Sequence, residues 1–109
     1  MLEAEIKHIL LTRDEAVLTK SAQLFLSVQA NEIPNSGSDG YLSLAKLDSK
    51  LISAHSDEAD KNQVVALVKE TYWRNGSMSH GGYLLFYFQR DQSNALKIAD
   101  IAWSNRSIP

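Results

Sequence analysis

Three apolar segments near the C-terminal end, VVALVKETYW from Val64, YLLFYFQ from Tyr83 and LKIADIAW from Leu96, restrict the fold of this chain more than any other feature. They are joined by RNGSMSHGG and RDQSNA, stretches rich in Gly, Asn, Asp and Ser that favour turns. Apolar runs this short, set this close together, predict an antiparallel meander of three strands. In LKIADIAW, alternation places Leu96, Ile98, Asp100 and Ala102 on one face, and Lys97, Ala99, Ile101 and Trp103 on the other. YLLFYFQ is apolar on both faces, as a central strand covered from two sides would be. VVALVKETYW admits two readings. As a strand it puts Val64, Ala66, Val68 and Tyr72 on one face and Val65, Leu67, Thr71 and Trp73 on the other; as a helix capped by Ser56 it has a stripe of Val64, Val65, Val68 and Tyr72. Its β-branched and aromatic content favours the strand. Asn75-Gly76 suits a tight turn, and Gly81-Gly82 lets the chain begin the central strand without side-chain conflict.

The N-terminal half reads as helical. Thr12-Arg13-Asp14-Glu15 has the form of a capping box, in which the Thr hydroxyl and the Glu carboxylate satisfy each other's backbone amides. Val17, Leu18, Ala22, Phe25, Leu26 and Val28 then follow near helical spacing until Asn31 and Pro34. The preceding EIKHILL fits either a further turn of helix or a short strand. Asn35 to Gly40 is a loop of turn formers, and YLSLAKLDSKLISA fits a short amphipathic helix with Lys46, Asp48 and Lys50 outward. HSDEADKNQ is a polar, acidic connection. The expected fold is α+β: a single domain over residues 1–109, mainly helical in 12–54, with N-terminal helices packed on a curved antiparallel sheet in 63–104.

Composition narrows the function classes. A chain of 109 residues buries roughly 65% of its unfolded surface, enough for a core without staples. Cysteine is absent, which excludes disulfides, thiolate zinc sites and cysteine nucleophiles, and fits a reducing compartment. Glu3 and Glu5 stand where a secretory signal needs a basic start, so a cytoplasmic location is expected. The apolar run YLLFYF is far short of the ~20 residues that span a bilayer. A formal charge of -2, with no basic stripe, argues against nucleic-acid binding and favours a basic protein partner or a small ligand.

Leu84 to Phe88, Arg90-Asp91 and Ile98-Ala99-Asp100-Ile101 reproduce an apolar strand, a short charged turn and an Ile-x-Asp-Ile element returning along the sheet. Over roughly the last 45 residues this resembles the nuclear-transport-factor-2-like (SnoaL-like, cystatin-related) superfamily. The resemblance implies a cone-like α+β fold, acid/base residues placed inside the cone in the enzymes, and pairing of copies through their sheets. It also implies a range of roles that includes isomerases, dehydratases, binding modules and toxin-neutralising immunity proteins. Leu96 stands where the family usually has a Trp, and the chain is short, so a deep enclosed pocket does not follow.

Single residues carry the rest of the functional reading. His80 lies in a Gly-flanked loop and would need an orienting partner to act as a general base. Gly76, Gly81 and Gly82 match neither dinucleotide nor phosphate-loop spacing. His8, His55 and His80 have no paired spacing, so no metal and no cofactor is expected. Asp100, beside Leu96 and Ile98, would have a raised pKa if that face were buried. Seven of the chain's nine aromatics fall between Tyr72 and Trp103, more than two helices can cover, so some form a pocket or an exposed interaction patch. The expected function is a non-catalytic protein-binding module, most concretely a bacterial immunity protein neutralising a basic toxin domain. Its expected contacts are the acidic run Asp57, Glu58 and Asp60, which would steer a basic partner, and Trp73, Arg74, Met78, His80 and Tyr83. The alternative is a small SnoaL-like enzyme or small-molecule binding protein with Tyr72, Asp100 and Trp103 in its pocket. A homodimer is a third outcome.

Overall fold

The computed structural model describes residues 2–56, 63–79 and 81–103. Asp57, Glu58, Asp60 and His80, and so the acidic run and the loop histidine, lie outside the described residues. The first helix, α1 (Leu2–Thr19), starts well before the anticipated capping box. Thr12 is inside it, its hydroxyl donating back to the His8 carbonyl at 2.8 Å. Ile6, Ile9, Leu10, Arg13, Ala16 and Val17 form its buried stripe at spacings of three and four. The helix ends at Lys20, which takes the left-handed conformation (φ 58). The Ser21 amide then donates to the Ala16 carbonyl at 2.9 Å and the Lys20 amide to Val17 at 3.3 Å, a Schellman closure. The continuous helix expected up to Val28 is therefore broken, and Ser21 caps a separate short helix, α2 (Ala22–Leu26).

Two further expectations are corrected. The turn formers after Pro34 build a helix, α3 (Ser36–Leu42), because the Asn35 side chain accepts from the Ser38 amide while the Ser38 hydroxyl accepts from Asn35. YLSLAKLDSKLISA is not the helix its leucines suggested: its larger part is strand β1 (Lys46–Ser56). Leu47 and Leu51 satisfy a period of two as well as one of about four. What decides between the periods is pairing, because β1 lies antiparallel to β2 (Gln63–Arg74) from Lys46↔Trp73 to Ser56↔Val64. Strand is thus the observed state of VVALVKETYW.

β2 turns through Asn75-Gly76, both at positive φ (52 and 79), into the two-residue strand β3 (Ser77–Met78). This is the tight Asn-Gly turn read from the sequence. The chain then runs through β4 (Gly82–Arg90) and β5 (Leu96–Trp103). The order β1-β2-β4-β5, with β3 on β2, makes an open antiparallel sheet one strand wider than the three-stranded meander expected. β1 and β5 each carry a bulge, at Ile52 and at Ala99, which bend and twist the sheet.

All helices contribute to one side. Ile6, Ile9 and Leu10 of α1 pack on Val64, Ala66 and Val68 of β2, on Leu84, Phe86 and Phe88 of β4, and on Leu96 and Ile98 of β5. A second cluster joins Ala16, Val17, Phe25 and Leu26 to Leu44 and Leu47. Both clusters draw only on this inner face of the sheet. The outer face, with Val65, Leu67, Leu85, Tyr87 and Ala102, contributes to neither.

Candidate functional site

Alternation along β2 carries Val64, Ala66 and Val68 inward and takes Glu70 and Tyr72 with them. Glu70 is 0% exposed, and opposite it stands Arg13 of α1, also 0% exposed, with Nη1 at 3.0 Å from Oε2. The other Glu70 oxygen accepts from the hydroxyls of Tyr41 and Tyr72, each at 2.6 Å. Arg13 Nε and Nη2 have no hydrogen-bond partner among the described residues. The guanidinium instead lies 4.7 to 5.1 Å from the ring centroids of Phe25, Tyr41 and Phe86, whose π faces stabilise its charge. Burial, then the charge of Glu70, pushes the Tyr41 phenol up to about 12. Tyr72 is raised further by burial and by its bond to Glu70.

Tyr41 and Tyr72 also line an open groove of about 600 Å³, walled by Phe25, Leu44, Leu84, Ile98, Ile101 and Trp103. Its polar lining comes from Gln29, Asn31, Asn35, Ser36 and Ser38, with Arg74 at the end of β2. The Trp103 ring lies over Gly82, where a Cβ would come within 2.7 Å of it and force the ring to shift. The chemistry on offer is stacking, apolar contact and amide hydrogen bonding. Glu70 already accepts three hydrogen bonds, and two phenols that hold their protons to high pH are poor acids and bases near neutrality.

The pocket expected to hold Tyr72, Asp100 and Trp103 is realised only in part. Tyr72 and Trp103 do share the inner face, Trp103 pairing with Leu84 across the sheet. This corrects the strict alternation, which set Trp103 apart from Leu96 and Ile98. Ala99 is the extra residue of the bulge, so inward order passes from Ile98 to Ile101 and Trp103, and Asp100 moves to the outer face opposite Tyr87. Asp100 borders the groove but is exposed, and its Oδ1 accepts from the next amide, Ile101, at 2.9 Å. It is not a buried base.

Of the expected partner contacts, Trp73, Met78 and Tyr83 lie together on the outer face. Trp73 pairs with Met78, which is 68% exposed, and Lys46 Nζ sits 4.8 Å from the Trp73 ring. Lys50 and Lys69 are directly opposite each other beside Tyr83. Arg74 is exposed but belongs to the inner side, in the groove. The Arg13–Glu70–Tyr41–Tyr72 cluster was missed. Part of its signal was present, because Glu70 sits between Val68 and Tyr72 on the face that alternation gives to Val64, Ala66 and Val68. Among the described residues there is no group of three or more His, Asp or Glu placed to hold a metal ion, and no helix is long and apolar enough to cross a membrane.

Comparison with protein-family models and with curated proteins finds no match to this chain.

Proposed function

We propose that this chain is a non-catalytic protein-binding module whose contact surface is the outer face of the sheet. One observation carries the reading: among the described residues all helices pack on one face, while the opposite face carries an apolar strip from Val65 and Leu67 across Leu85 and Tyr87 to Ala102, with Trp73, Met78 and Tyr83 at one end. Apolar and aromatic surface of that kind, ringed by Lys46, Lys50, Lys69 and Asp100, has the composition of an interaction patch rather than of ordinary exposed sheet. Neutralisation of a toxin is the concrete instance; Lys46, Lys50 and Lys69 on this face suit acidic groups on the partner's contact surface, and the chain's formal charge of -2 bears only on long-range encounter. A second copy of the chain is the other occupant this face suits.

Site-specific photocrosslinking separates these occupants. A benzophenone amino acid at Leu67 should give protein adducts in cells, whereas the same group at Leu11, exposed on α1, should give none. An adduct of twice the chain's mass would make the partner another copy. Equal labelling from both positions, or none from Leu67, would sink the proposal.

The groove supports a second reading, a small-molecule binding protein. Its volume of about 600 Å³ falls within the ~300–1,000 Å³ usual for ligand sites. That reading rests on Tyr41, Tyr72 and Trp103 rather than on Asp100.

A further inference from the structure

Among the described residues β5 is an edge strand, and the chain itself shows how that edge is used. The Ile98 amide donates to the Val28 carbonyl at 2.9 Å and the Ile98 carbonyl accepts from the Ala30 amide at 2.8 Å, so Gln29 makes a single parallel bridge to β5 at this position. After Ala30 the chain leaves the strand, and the groove continues along the same edge past Ala99, Asp100, Ile101 and Trp103. Ile98 faces away from β4 with both of its backbone groups. Beyond the bulge, the alternation of an antiparallel ladder turns the backbone groups of Ile101 and then Trp103 outward in the same way. The Ile101 amide fits this placement: it bonds the carboxylate of its own neighbour Asp100. A short acidic side chain on an exposed edge amide is a substitute for a missing strand.

We propose that the β5 edge beyond Ile98 binds an extended peptide segment of a partner as an added strand, with apolar peptide side chains at alternate positions entering the groove. The peptide continues the line that Val28 to Ala30 begin. Its carbonyl takes the Ile101 amide from Asp100, and its next outward group meets Trp103. Peptide side chains on the inner face meet Ile101, Trp103, Tyr41 and Phe25, which is why they must be apolar or aromatic. Those on the opposite face are free to be polar. This site is the β5 edge and the inner-side groove, it shares only Asp100 with the outer face proposed above, and either can fail without the other.

The probe is a peptide selected from a random 12-residue display library against the whole chain and then synthesised. Amide chemical shifts of Ile101 and Trp103 should move on titration. Single N-methylation along the peptide should weaken binding at alternate residues only, by about tenfold or more for each ladder bond lost. Asp100→Ala frees the Ile101 amide and should tighten binding about threefold to tenfold, the size of one net hydrogen bond. Asp100→Asn keeps an acceptor on that amide and should bind as the native chain does. Failure to select any peptide, a flat N-methyl scan, weaker binding by Asp100→Ala, or shifts centred on Leu67 and Leu85 would each overturn the proposal, and the last would instead support the outer-face reading.

Discussion

Glu70 shows why a charged residue in an apolar run can be structural. Its carboxylate takes one bond from Arg13 and two from tyrosines, and none of its side chain is exposed. Removing one partner of such a pair leaves the other charge buried and uncompensated, at a cost of about 3–5 kcal/mol. Glu70→Gln keeps an acceptor for Tyr41 and Tyr72 but deletes the countercharge, so urea denaturation should show most of that loss. Arg13→Met combined with Glu70→Gln should recover most of it, because a thioether packs well on the rings of Phe25, Tyr41 and Phe86. A double variant as unstable as the single one would mean that the charge pair is not the cause. Glu70 was legible in the sequence by position; Arg13 was not, because the helix was expected to start at Thr12, and only a helix running from Leu2 gives Arg13 its buried stripe. Arg13 lies on the stripe of Ile6, Ile9, Leu10, Ala16 and Val17, and Glu70 on the even positions of β2. What alternation could not supply was that the two stripes face each other.

Between elements, links outside the hydrophobic core set the geometry. Arg90 at the end of β4 holds Glu5 of α1 through two bonds of 2.8 Å, and Lys20 reaches from the end of α1 to the carbonyls of Leu42 and Leu44. Asp14 joins α1 to β1, accepting from the Ser49 amide at 3.1 Å and its hydroxyl at 2.7 Å. Burial nevertheless outweighs those bonds and pushes the Asp14 carboxyl up to about 6. A carboxyl whose folded pKa lies above its unfolded value of about 3.9 adds stability below that pH, and the contribution is lost as pH rises through about 6. Replacing it with Asn should remove this dependence, so the native chain should lose stability relative to Asp14→Asn between pH 4 and pH 7 in chemical denaturation. Parallel curves would refute the assignment. The strands β2, β4 and β5 were legible because short apolar runs rich in β-branched and aromatic residues are set between turn formers there. β1 was not, because Leu44, Leu47 and Leu51 serve a helical period equally well and the deciding partner lies in β2. Nor could alternation foresee the bulge at Ala99, and that one extra residue exchanged the places of Asp100 and Trp103.

The whole molecule is two-sided. Helices, buried ion pair and groove belong to one side of the sheet, while the other presents apolar strand surface with three lysines and a tryptophan at its end. The two places proposed for a partner, a face and an edge, are both positioned by the same twisted sheet. The central claim is that the face binds another protein, and the most direct measurement is the dissociation constant for the partner captured at Leu67, compared between the native chain and Leu67→Glu. A charge set into the middle of a desolvated patch should weaken binding at least about thirtyfold, corresponding to a hot spot of about 2 kcal/mol, with the fold intact by circular dichroism. An unchanged dissociation constant would contradict the account.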